Sequence, residues 1–235
     1  HDHDGGIPPP VVTAAAGSLD GRGTPSTAPP GTSQVFAAFA NYGSGTANAA
    51  NVAAMVKSWQ PDFIIAAGDH NDTLNYQIGE PSWTQNVGEF YGEFIKGRVD
   101  NSYPKQTSLT QRFFTVPGNQ DSGPDLRNGG ELSSYLDYFH ANPGATPRLP
   151  TGVHQPRLSY YKFSRGPADF FMLDSDNAVV DEAVRETQRD WLRAQIAAST
   201  ARWKFGVWHH PPFSSGPVYG NRLDLQWGED FRGLT

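Results

Sequence analysis

The sequence contains no cysteine. That excludes disulfides, thiolate metal ligands and cysteine nucleophiles, so any bound metal must be held by oxygen and imidazole nitrogen. It does not decide the compartment. No apolar run approaches the roughly 20 residues that a membrane-spanning helix requires. Long Lys/Arg runs are also missing and the net charge is −6, which argues against a nucleic-acid backbone or an anionic membrane as partner.

What is present is a chain of 235 residues, enough for one α/β domain with a sizeable core. Its 25 glycines and 19 prolines predict long irregular loops between the regular elements. Residues 1–33 are dense in Pro, Gly, Ser, Thr and Ala and read as an extended tail; residues 34–235 read as the domain. The opening His1-Asp2-His3-Asp4 has metal-binding side chains, but a solvated terminus is the expectation. The sequence starts without Met, which reads as processing of an export signal and predicts a secreted, periplasmic or extracellular protein.

Apolar patterning predicts the elements in order. Val35 to Asn41 and Phe63 to Asp69 read as buried strands joined by a helix from Ala47 to Trp59, with Val52, Met55, Val56 and Trp59 facing inward and Pro61 beyond its end. A strand–helix–strand order places the two strands parallel in one sheet. Further expectations are a helix over 82–95, a strand over 112–116 and a helix over 131–140. A hairpin of strands 160–164 and 169–175 follows, then a helix over 181–199 with Val184, Trp191, Leu192 and Ile196 inward, and a strand over 203–209.

Polar residues come directly after the buried strands: Asn41, Asp69, Asn119 and His209. Ligands of open α/β sheets collect at the carboxyl ends of strands, so these four are expected at one site. Oxygen and nitrogen donors without sulfur suit Zn²⁺, Fe, Mn²⁺ or a mixed pair. Each residue also has a structural reading. Asp69 suits a cap or turn, Asn119 suits a left-handed turn, and His209 and His210 suit buried hydrogen-bonded imidazoles. Asp174 and Asp176 read as turn residues, and Trp59 and Trp191 as core. Ser214 and Ser215 lie near the histidines, but no Gly-x-Ser-x-Gly elbow supports a hydrolase triad.

The ordered series ANYG, GDHND, GNQD and HHPPFSS resembles the GDxG, GDxxY, GNH(D/E) and HxP motifs of the metallophosphoesterases, the superfamily of calcineurin-like and purple-acid-type phosphatases. FMLDS and ETQRDWL resemble the strand and late helix of its purple-acid-type members, and the likeness runs from about Val35 to Ser215. The resemblance implies a sandwich of two mixed β-sheets flanked by helices, with its C-terminal part incomplete here. It also implies two metals that share a bridging carboxylate and activate a water for in-line attack on a phosphoester. Carried over by position, Asp69 is the bridging ligand, Asn119 a side-chain oxygen ligand of the second metal, and His209 a ligand.

The departures are specific. Asn41 stands where the family has its first Asp, which removes a charged ligand. Gln120 stands where the family has its catalytic His, and an amide cannot shuttle a proton. Asp72 replaces the metal-binding Tyr of purple-acid members and offers a carboxylate instead. The family's Gly-His-x-His motif does not occur before Thr235. One weakly held metal is therefore expected rather than two. The expected function is a catalytically impaired scaffold or assembly subunit, a homo-oligomer joined through an open sheet edge and the N-terminal tail, where Val11 to Ala14 is able to pair as a strand. The alternative is a secreted metal-dependent phosphoester hydrolase, acid-phosphatase-like, seen without its C-terminal portion.

Overall fold

The computed structural model describes residues 34–71, 81–98, 100–121, 132–139, 160–175 and 182–211. Asp72, Asp176, Ser214, Ser215 and the tail 1–33 with Val11 to Ala14 lie outside the described residues, as does the side chain of Val184.

Strand β1 (Phe36–Phe39), helix α1 (Ala47–Ser58), strand β2 (Phe63–Ala67) and strand β3 (Phe113–Val116) build a parallel sheet in the order β1-β2-β3. The second sheet, β4-β5-β6, is mixed. β4 (Tyr161–Arg165) and β5 (Ala168–Met172) form a hairpin, and β6 (Trp203–Val207) runs parallel to β5 after helix α5 (Glu182–Ala198).

Alternation along the central strands explains why they read as unbroken apolar runs. Phe63 and Ile65 of β2 point into the space between the sheets and meet Tyr161, Phe163, Phe170 and Met172; Phe114 and Phe163 stack with centroids 3.8 Å apart. Ile64 and Ala66 point the other way, into a second cluster with Trp83, Tyr91, Tyr135 and Phe139. On the far side, Phe171 and Leu173 pack under Leu192 of α5, with half-buried Trp191 and Ile196 against them. Both faces of each central strand are covered, so neither face needs polar residues.

Helix α1 starts at Thr46, whose side chain accepts the Ala49 N–H, and ends before Gln60, which takes a left-handed φ of 51° ahead of Pro61. Its buried face is Ala49, Ala53 and Val56. The expected inward positions Val52, Met55 and Trp59 are instead 38–39% exposed. Alanines bring the helix axis close to its neighbours, and the bulky residues are turned outward by that close approach. Strand β1 is likewise half-exposed, with Phe36 and Val35 open, because among the described residues it lies at a sheet edge.

The helix expected over 82–95 is wound unevenly. A short α-helix α2 (Pro81–Trp83) passes through a π-turn (Thr84–Gly88) to α3 (Glu89–Tyr91) and a 3₁₀ turn (Gly92–Phe94). The π-turn places Asn86 where its Nδ2 donates to Asn71 Oδ1 at 2.8 Å, beside the loop that follows β2. Helix α4 (Ser133–Phe139) closes this side of the molecule.

Candidate metal centre

The loops after β1, β2 and β3 and the end of β6 come together. Asn41 donates its backbone N–H to Gly68 O at 3.1 Å, and Gln120 donates its backbone N–H to Asp69 Oδ1 at 3.0 Å. His209 Nε2 lies 3.3 Å from the same Asp69 oxygen. The close approach of β6 to β2 depends on Gly68: at φ +88° a Cβ would sit 2.4 Å from His209 Nδ1.

Asp69 itself is left-handed, at φ 56°, as is Asn41 at φ 54°. Asp and Asn tolerate this region better than other side chains, at a cost of order 1 kcal/mol. Asn119 does not adopt it, so the left-handed turn expected there belongs to Asn41 and Asp69 instead. Asn119 is exposed on the loop after β3.

His209 has a fixed orientation. Its Nδ1 is 2.8 Å from Ala67 O, and a carbonyl only accepts, so Nδ1 carries the proton and Nε2 faces Asp69. A neutral imidazole would then aim a lone pair at a carboxylate oxygen. A cation between or on them resolves this, either a proton on Nε2 or a metal ion. Burial disfavours the charged ring, but the hydrogen bond and charge of Asp69 outweigh it and raise the His209 pKa above 6.5. Burial also pushes the Asp69 carboxyl up, yet His209 and the Gln120 amide hold it below its ordinary value.

This donor pair fits a metal ion. Two ligands on a tetrahedral ion with bonds of about 2.0–2.1 Å stand about 3.3–3.4 Å apart. A backbone carbonyl on the second imidazole nitrogen is the usual support of a metal-binding His. Among the described residues, no three His, Cys, Asp or Glu side chains gather closely enough to hold an ion; Asp72 lies outside them. Gln120 reaches Asp69 through its backbone, so that contact is indifferent to the side chain at this position.

Sequence reasoning did not single out Asp121, His70 or Tyr42, all buried under these loops. Asp121 accepts the N–H groups of Asp69, His70 and Gly118. The signal available for it was its place in GNQD. His210, beside the ligand position, is bound to the end of β5: Ser175 Oγ is 2.9 Å from its Nδ1 and accepts its backbone N–H at 3.1 Å.

Two face-packed sheets flanked by helices, with a polar loop cluster at the strand ends, define the metallophosphoesterase class of α/β protein. The chain belongs to the calcineurin-like phosphoesterase family, whose pattern matches residues 42–234. Among solved structures it is similar to GAP50, described as the anchor in the inner membrane complex of Plasmodium, at 20% identity and a TM-score of 0.55. The alignment covers 86% of this chain and 61% of that one, so the chain spans under two thirds of that neighbour's length. A search of curated proteins finds no match. Among the described residues, no helix is long and apolar enough to cross a membrane.

Proposed function

We propose that this chain is a metallophosphoesterase-fold protein with an impaired catalytic centre, serving as an extracellular scaffold or assembly subunit. The observation that supports it is the reduced donor set: Asp69 and His209 face each other, while Asn41 and Gln120 stand where two-metal hydrolysis needs a carboxylate and an imidazole. Asp69, Asn119, His209, Asn41 and Asp72 are the positions for one weakly held Zn, Fe or Mn ion, with Asp69 and His209 contributing most. Such an ion would supply Lewis-acid polarisation of a phosphoester oxygen. Gln120 cannot follow it with a proton, which is why turnover is expected to fail.

The scaffold role draws on the surface. Among the described residues, β1 pairs only with β2 and β6 only with β5, and Phe36 and Phe205 meet edge to face at 5.8 Å between these open edges. Val35, Phe36, Trp203 and Phe205 are exposed there, beside an apolar cleft of about 460 Å³ that reaches His209. Open strand edges with apolar surface recruit further chain, either a second copy or a partner strand. An anchoring role for the structural neighbour GAP50 is in keeping with this reading.

A second reading, a secreted metal-dependent phosphoester hydrolase, is favoured by one observation, the Asp69–His209 spacing that already suits a metal ion. Hydrolysis of a generic aryl phosphate by the purified chain, with Zn²⁺, Mn²⁺ or Fe supplied in turn, separates the two. The scaffold reading expects rates at the buffer blank and an oligomer by light scattering. Metal-dependent turnover from a monodisperse monomer would establish the enzyme reading in its place.

A further inference from the structure

Strand-end loops carry backbone groups that need partners, and in a two-metal centre the ions help to cross-link such loops. Here protein groups make the cross-links. Tyr42, on the loop after β1, places its hydroxyl 2.9 Å from Nδ1 of His70, on the loop after β2. The other ring nitrogen of His70 lies 2.9 Å from Val116 O, at the end of β3. That carbonyl accepts, so Nε2 carries the proton. The fully buried ring is neutral, and Nδ1 accepts from the Tyr42 hydroxyl.

Two of these loops, those after β2 and β3, are joined a second time by Asp121. Its Oδ2 accepts the N–H of Asp69 at 3.0 Å and of Gly118 at 2.8 Å, and its Oδ1 accepts the N–H of His70 at 2.8 Å. Packing closes the unit from outside. Gly43 sits so near the His70 backbone that a Cβ there would lie 2.2 Å from the His70 carbonyl carbon. Tyr135 stacks on the imidazole at 5.7 Å and Phe139 meets its edge at 5.1 Å.

We propose that His70 is a positioning residue: held between Tyr42 and Val116, it ties the loops after β1, β2 and β3 into one rigid unit that keeps Asp69 in place with no cation bound. The unit stands whether or not the chain hydrolyses phosphoesters, so its test is separate from any activity assay.

Backbone hydrogen exchange of the full chain, stripped with EDTA and then with excess Zn²⁺, reads the unit directly. The amides of Asp69, His70 and Gly118 are expected to exchange within about twofold of each other in the two conditions. In protein with ¹⁵N-labelled histidine, His70 is expected as a neutral ring protonated at Nε2. Tyr42→Phe, which deletes one hydroxyl, is expected to speed those three amides about fivefold while the amides of β4 to β6 keep their rates. A residue with a merely structural role would speed both sets together. Loop exchange ten times faster in EDTA than in Zn²⁺ would overturn the proposal, as would unchanged loop exchange in Tyr42→Phe or a His70 ring protonated only at Nδ1. If Tyr42→Phe does not fold, the EDTA comparison and the histidine spectrum of the unaltered chain decide alone.

Discussion

At the scale of single residues, the contact between Asp69 and His209 sets what this centre can hold. With no metal present, the raised pKa of His209 means that the imidazolium contributes stability below the ordinary His value, and that this contribution fades as pH rises through the raised value. A metal ion must displace that proton. Zn²⁺ affinity is therefore expected to rise about tenfold per pH unit up to the raised pKa and to level off above it, in calorimetric titrations across a pH series. Affinity that is flat from mildly acidic to neutral pH would show that His209 is not a ligand. Asn41→Asp restores a charge at the end of β1, beside Gly68, and is expected to tighten Zn²⁺ binding by about tenfold or more in the same titration. An unchanged constant would remove Asn41 from the site.

At the scale of elements, the outcome depends on what each signal encodes. The apolar runs of β2, β3 and β5 were legible because both faces of those strands are buried, and only Thr115 and Asp169 interrupt them. The hairpin between β4 and β5 was legible for a different, local reason: Gly166-Pro167 lies between two apolar runs and is suited to a turn. Helix α1 was legible as a helix but not in its orientation. Hydrophobic bulk favoured Val52, Met55 and Trp59, whereas close packing selected Ala49 and Ala53, and bulk alone carries no information about approach distance. The π-turn at Thr84–Gly88 carries the bond of Asn86 to Asn71, a tertiary contact that no local pattern announces.

The β4–β5 hairpin carries its own pH signature. Burial pushes the Asp169 carboxyl up, but Lys162 at 2.7 Å, Ser164 and Ser199 outweigh that and lower it. A depressed carboxyl pKa contributes stability above the unfolded value of about 3.9, and this is lost as pH falls through the folded value. Denaturant melts are therefore expected to show stability falling below about pH 4 in the unaltered chain, with a shallower fall in Asp169→Asn. Parallel slopes for the two would assign the acid sensitivity elsewhere.

At the scale of the whole molecule, Asn41, Asp69 and Asn119 follow the three strands of the parallel sheet, which delivers successive loops to one edge, whereas His209 follows β6 of the second, mixed sheet and reaches Asp69 across the two sheets. The buried unit beneath them was not legible. His70 and Asp121 are separated by 51 positions, and only the folded chain shows that the aspartate serves backbone amides rather than a ligand. Asn41 and Gln120 bond to Gly68 and Asp69 through their backbone N–H groups, so these contacts do not depend on the side chain at either position.

The central proposal is that this metallophosphoesterase fold holds at most one weakly bound cation, at Asp69 and His209, in place of the paired metal centre. Elemental analysis of the native full-length chain, equilibrated with Zn²⁺, Fe and Mn²⁺ and then passed through a desalting column, tests it most directly. The expected result is no more than one transition-metal ion per chain, lost on the column and abolished by His209→Ala. Two ions per chain that survive the column would contradict it.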